Sequence, residues 1–255
     1  MLLSFSHLKN KYPNFPTKIL HLGAHLAEEA DDYGANGITD VIWVEGNAGL
    51  IDGLKTKLEN YEMNSQIHNI MISEKDKEEI IFNITDFDQS SSILEPALTQ
   101  KFHKTTVVKT QKVIGRRLED YFQENQISLS GYKLVNLDLQ GYELPALKSF
   151  GNLLENFDFI MTEINLKELY KNGTLLKELD RFLLQRGFVR KETFVTGNFW
   201  GDALYVRKSN RSMLSFVTKQ TSRFNIKYYL IISSCKYYYR LMISHAYNVY
   251  YKFKS

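Results

Sequence analysis

The chain has 255 residues, 44% of them hydrophobic, a net charge of +3 and one cysteine, Cys235. That length can bury a full core in one α/β domain with additions, and a lone cysteine excludes an internal disulfide and a cysteine-rich zinc site. It fits a reducing, cytoplasmic setting, with no signal peptide and no run of about 18 apolar residues to span a membrane.

Residues 1–17 read as an N-terminal extension, and the segment Ile19–Asn47 then reads as one strand–turn–helix–strand unit. Its expected parts are a strand over Lys18–Leu22, a Gly23-Ala24-His25 turn, a short acidic helix over Ala27–Tyr33, and a strand over Val41–Val44 closing at Glu45. Apolar residues Leu50, Ile51, Leu54 and Leu58 predict a helix over Leu50–Asn60. Strands are expected at Ile67–Ile72 and Ile80–Ile84, followed by a polar irregular stretch with Ser90, Ser91 and Ser92. A β-rich Val107–Ile114, a helix Leu118–Glu124, a strand Tyr132–Leu137 ending at Asp138, and a helix Glu143–Ser149 come next. Pro145 is tolerated in that helix because it sits in the first turn. A strand Phe157–Ile164, an amphipathic helix Thr174–Arg186 and two strands, Phe188–Val195 and Ala203–Val206, complete the alternation. This order predicts an α/β, doubly wound, mostly parallel sheet over residues 18–207, with a terminal antiparallel hairpin.

Gly23 and Glu45 lie 22 positions apart, near the roughly 20-residue spacing at which an acid reaches the ribose in nucleotide-binding units. A glycine admits close approach of a ligand to the backbone, and a carboxylate at the next strand's end can accept both ribose hydroxyls. The turn has one glycine followed by a bulky His25, not the three of a dinucleotide fingerprint. It suits an adenosine cofactor without phosphates, of which S-adenosylmethionine (SAM) is the obvious one. Ligands of such sheets bind at the carboxyl ends of strands, and the polar residues expected there are His25, Glu45 with Asn47, Asp138 with Gln140, and Glu163 with Asn165.

The segments HLGAH, WVEGN, QSSSIL, RRLEDYF, NLDLQGYELPALK, FIMTEIN, KELY and FWGDALYVR occur in that order. Over about Ile19–Arg207 the chain resembles FkbM-type SAM-dependent methyltransferases, which share the class I methyltransferase fold and mostly methylate hydroxyls, often on sugars. The resemblance implies that Gly23, Ala24 and His25 line the methionine end of SAM, that Glu45 holds the ribose beside Asn47, and that Asp138 sits at the reacting edge. Ala27 departs from the family, whose members commonly have glycine there.

Methylating a hydroxyl requires alignment of oxygen, carbon and sulfur and removal of a proton. Asp138 is the first candidate base, Glu163 the second and His25 the third. Each has a plainer alternative: Asp138 binding cofactor or capping a helix, Glu163 fixing a loop, His25 bonding backbone. Glu143 either caps the following helix or faces the ligand, and the serines around Ser91 either donate to the ligand or form a loop. His103 points into the pocket or lies on the surface. Trp200 and Asp202 offer an aromatic face and a carboxylate suited to sugar recognition, or a core ring and a turn residue. Gln140 and Asn165 are placed with the acceptor. No histidine spacing indicates a metal site.

From Arg207 to the end there are ten Lys or Arg and no Asp or Glu, interleaved with Tyr228, Tyr229, Tyr237, Tyr238, Tyr239, Tyr247, Tyr250 and Tyr251. Residues 208–255 therefore read as a basic amphipathic helical tail, either lying on the inner face of a membrane or packed on the acidic domain or a second subunit in a homodimer. The expected activity is SAM-dependent O-methylation of a sugar hydroxyl on a glycan or glycolipid precursor. The rivals are a nicotinamide-dependent oxidoreductase and a binding module without catalysis, and nucleic acid is a disfavoured partner.

Overall fold

The computed structural model describes residues 2–86, 88–100 and 105–208. The basic tail and His103 lie outside the described residues. Within them, ten strands form two sheets. The larger takes β1 (Lys18–Leu22), β2 (Asp40–Glu45), β3 (Asn64–Asn69), β7 (Leu134–Leu137), β8 (Phe159–Asn165), β9 (Phe188–Val195) and β10 (Trp200–Arg207) in the order β3-β2-β1-β7-β8-β10-β9. The first five are mutually parallel, and β10 runs antiparallel to both β8 and β9. The smaller sheet has the order β4-β6-β5, made of β4 (Met71–Ile72), β5 (Glu78–Thr85) and β6 (Val107–Arg116).

Strand alternation divides the core between the two faces of the large sheet. Ile19, Val41, Trp43, Leu134 and Met161 pack with Phe5, Leu8, Phe15, Tyr33 and Leu54 on one face. These bring in helices α1 (Phe5–Lys11), α2 (Ala30–Ala35) and α3 (Ile51–Leu58). Leu20, Leu22, Ile42, Val135 and Leu137 face the other way, against Leu118, Phe122, Leu147, Leu179 and Leu183. Those belong to α4 (Leu118–Glu124), α5 (Glu143–Ser149) and α6 (Leu176–Gln185). The segment read as an extension packs Phe5, Leu8 and Phe15 into the first face.

Two elements differ from the sequence reading. The helix expected over Ala27–Tyr33 begins only at Ala30, because His25 and Ala27 adopt left-handed backbone (φ 45 and 53) that no α-helix contains. Gly23 to Glu29 is therefore loop, and Ala27 holds the conformation that glycine would favour. The strand expected over Ile67–Ile72 is two strands in two sheets. The break at Ile70 is pinned where its N–H and the Asn69 side-chain amide both donate to the Glu45 carbonyl, at 3.1 and 2.8 Å.

Candidate active site

Parallel strands put the ends of β1, β2, β7 and β8 on one rim, and β10, being antiparallel, returns its first residues to the same rim. Trp200 lies opposite Asn165 and Asp202 opposite Glu163. A cavity of about 470 Å³ opens there, within the usual range for small-molecule sites. It is centred where strand order reverses beside β1, the place at which open α/β sheets bind ligands. Gly23, His25, Glu45, Asn47, Ser91, Asp138, Gln140, Glu163, Trp200 and Asp202 all line it. Ala24, Glu143 and Asn165 stand outside the lining, and Glu143 and Asn165 bond lining residues Leu139 and Glu163.

At one end, Glu45 is fixed by its own surroundings. One carboxylate oxygen accepts the His25 N–H at 2.8 Å and the other the Asn47 N–H at 2.6 Å. Burial pushes its pKa up, and those backbone donors pull against it. The Asn47 side chain accepts from the Gly49 N–H and starts the next turn. Gly23 does something the spacing did not reveal. A Cβ there would lie 1.9 Å from the Asp138 carbonyl oxygen, so the missing side chain makes room for the backbone that follows β7.

At the other end, two acids meet. A side-chain hydrogen bond links Asp138 and Glu163, and both pKa values are raised, first by burial; Glu163 stands well above the carboxylate range, with Asp138 and Glu143 repelling it further. Burial and mutual repulsion favour protonation at this pair, most strongly at Glu163. Gln140 (φ 53) bridges them, donating its side-chain N–H groups to Asp138 at 2.6 Å and Glu163 at 3.2 Å. The Tyr170 hydroxyl donates to the Gln140 carbonyl oxygen at 2.6 Å. Asn165 supports the pair from behind, donating to Glu163 at 3.2 Å.

The remaining candidates hold loops. Glu143 accepts from the Leu139 and Gly141 N–H groups at 3.2 and 3.0 Å, clasping the turn after β7. The Ser91 hydroxyl accepts from the Thr85 N–H. The Asp202 carboxylate accepts from the Leu2 and Leu3 N–H groups, tying the segment ahead of α1 to the cavity rim. His25 pairs with Glu28 at 2.6 Å. Sequence reasoning missed Tyr170, Glu28 and Glu29, which also line the cavity. Tyr170 sits in the KELY segment, whose position in the fold no periodicity gave away.

Burial lifts the Glu143 pKa to about 7, with the backbone N–H groups at Glu143, Gly141 and Leu139 pulling down and Asp138 pushing up. A raised acid holds its proton longer in the folded chain than in the unfolded one. Its contribution to stability is therefore lost as pH climbs from about 4.5 to about 7. Glu143→Gln, which keeps a carbonyl acceptor for both N–H groups, is expected to remove about 3 kcal/mol from the stability difference between pH 5 and pH 8. Urea unfolding of both proteins at the two values checks this, and an unaltered difference would refute it.

The profile of the methyltransferase FkbM domain matches residues 21–190. The chain belongs to the FkbM methyltransferase family. Its sheet carries the antiparallel β10 between β8 and β9. Among curated proteins none matches this FkbM-domain chain. Solved structures with similarity to it include M. capricolum TrmK in complex with S-adenosyl-homocysteine (SAH), at 12% identity over 84% of this chain and 74% of that one, TM-score 0.47. A SAM-dependent methyltransferase from Aquifex aeolicus is 10% identical over 81% and 90%, TM-score 0.46. Aeropyrum pernix fibrillarin with bound SAM is 13% identical over 78% and 72%, TM-score 0.45. No helix among the described residues is long and apolar enough to cross a membrane.

Proposed function

We propose that this FkbM-family methyltransferase binds SAM and methylates an uncharged sugar hydroxyl of a glycan or glycolipid precursor. The observation that carries the reading is the single cavity joining Glu45, held at one strand end, to the Asp138–Gln140–Glu163 cluster at two others. Each Glu45 oxygen accepts one backbone N–H, leaving lone pairs for two further donors, which a ribose diol supplies. Leu50, Ile70, Met71 and Phe82 give an apolar wall for a flat base. SAM, when bound, supplies the methyl group as a sulfonium electrophile. The chain's part is to orient the acceptor and take its proton. Asp138, the ionised member of the pair, is the base. Glu163 and Gln140 donate to it and keep it a carboxylate until the acceptor arrives.

The charge of the lining supports an uncharged acceptor. It contains Glu28, Glu29, Glu45, Asp138, Glu163 and Asp202 and, among the described residues, no Lys or Arg. A phosphate-bearing acceptor, nucleic acid included, would meet like charge at short range in a low-dielectric site. Trp200 at the rim supplies an aromatic face for the C–H side of a sugar ring.

Isothermal titration tests the cofactor. Heat with SAM and SAH and none with NAD is expected, with dissociation constants in the micromolar range, on the order of −8 kcal/mol. Silence with both SAM and SAH would remove the reading. Transfer of labelled methyl to extracted glycolipid fractions, with mapping of the labelled atom, then tests the acceptor.

A further inference from the structure

Tyr170 is buried, 1% exposed. Its backbone is held by an antiparallel bridge to Pro96 and by the Lys171 N–H, which donates to the Glu95 carbonyl at 2.9 Å, and its ring lies against Gly141, where a Cβ would come within 3.1 Å of it. Nothing about that placement needs a hydroxyl; phenylalanine would pack as well. Yet the hydroxyl faces two acceptors, the Gln140 side-chain oxygen at 2.6 Å and the Ser90 carbonyl at 3.4 Å.

The difference between those distances decides how the Gln140 amide is turned. With the tyrosine proton on the nearer oxygen, the amide nitrogen faces Asp138 and Glu163 and donates to both. Were the proton sent to Ser90 instead, the amide could flip, donate to the tyrosine oxygen and present its own oxygen to the acids. It would then accept the proton the acids share. One orientation favours a carboxylate at Asp138, the other a neutral pair.

Resting on the SAM-dependent reading above, we infer that Tyr170 is a positioning residue of the reaction: it locks the Gln140 amide with its N–H groups toward the acid pair, and so makes Asp138 the carboxyl held ionised. Burial and the neighbouring acids raise the tyrosine pKa and keep it a donor. The other charged groups acting on Asp138 and Glu163 are Glu143 from α5, Asp202 from β10 and Glu29 ahead of α2, which favour protonation, and the α-amino group, which lowers Asp138. The acids outnumber that one cation, and the Gln140 donors act with it against protonation of the pair.

The test is the pH midpoint at which the pair loses its shared proton, read from the protonated-carboxyl infrared band of the full chain. It needs neither cofactor nor acceptor, so it stands or falls apart from SAM binding, which titration measures separately. Tyr170→Phe is expected to raise the midpoint by about one pH unit while leaving SAM affinity within about twofold. Gln140→Leu is expected to raise it by a similar amount, and the double variant by no more than either alone, because both act through one contact. An unmoved midpoint in Tyr170→Phe, or additive shifts in the double variant, would overturn the assignment. A Tyr170→Phe protein too unstable to titrate would do so as well, since the hydroxyl would then be serving the fold.

Discussion

Gly23→Ala is expected to cost about 4 kcal/mol of stability and to abolish SAM binding, although it adds one methyl group to a loop. Two penalties combine. Gly23 has φ +82, a left-handed conformation that costs an alanine roughly 1–2 kcal/mol. The new Cβ would also fall 1.9 Å from the Asp138 carbonyl oxygen, a backbone atom directly after β7, a strand buried on both faces. That oxygen cannot swing aside as a side-chain end would, so β1 and β7 must part at their carboxyl ends, an overpacking cost of about 1–3 kcal/mol. The separation falls between the loop that feeds a backbone N–H to Glu45 and the residue proposed as base, so the cavity is disrupted along with the fold. The unfolding midpoint should drop by roughly 10 °C, at about 2–4 °C per kcal/mol for a chain of this size. A variant that unfolds like the parent and still binds SAM would show that β7 accommodates the methyl group, contrary to this packing.

The same residue shows how far sequence reading reached. Its spacing to Glu45 pointed to the rim where both residues line one cavity, because the distance between strand ends is set by one helix and one strand, a local quantity. The reason for the glycine was not local. It depends on β7, more than a hundred residues along the chain, lying against β1. The parallel strands were legible as apolar runs because both their faces are buried, and the helices on one side were legible from their apolar spacing. The start of α2 was not, since left-handed His25 and Ala27 break the helix without either being a proline or a glycine. The split at Ile70 was hidden for a similar reason. An unbroken apolar pattern continues through it while the chain passes from one sheet to the other.

Within the site, strand-end acids were readable and their division of labour was not. Asp138, Glu143 and Glu163 look alike in sequence. The fold gives Glu143 two backbone N–H groups of a turn, and sets Asp138 and Glu163 together on the cavity wall with burial raising Glu163 well above the carboxylate range. Backbone donors answer Glu45, Glu143 and Asp202, and the Gln140 amide answers Asp138 and Glu163. Gln140, expected beside the acceptor, bonds both acids through its side-chain amide, and Tyr170, which holds that amide, was assigned no role from sequence.

That division of labour leads to the second large effect. Asp138→Asn is expected to lower turnover by about 10²–10⁴-fold, the range ordinarily lost with a general base, with SAM affinity within about threefold. Asparagine fills the same space and still accepts from Gln140, so the cavity persists and only proton removal is lost. The Asp138 pKa is raised, so wild-type turnover should fall as pH drops through a point above the ordinary aspartate value; in Asp138→Asn that limb should vanish. Glu163→Gln makes the contrast. A glutamine resembles the protonated acid it replaces, keeps an N–H to donate to Asp138, and should retain turnover within about tenfold. Equal losses of turnover and SAM affinity in Asp138→Asn would assign the residue to the cofactor. A Glu163→Gln variant as inactive as Asp138→Asn would move the base to Glu163, because a group that only donates a hydrogen bond tolerates its amide and a group that must accept a proton does not.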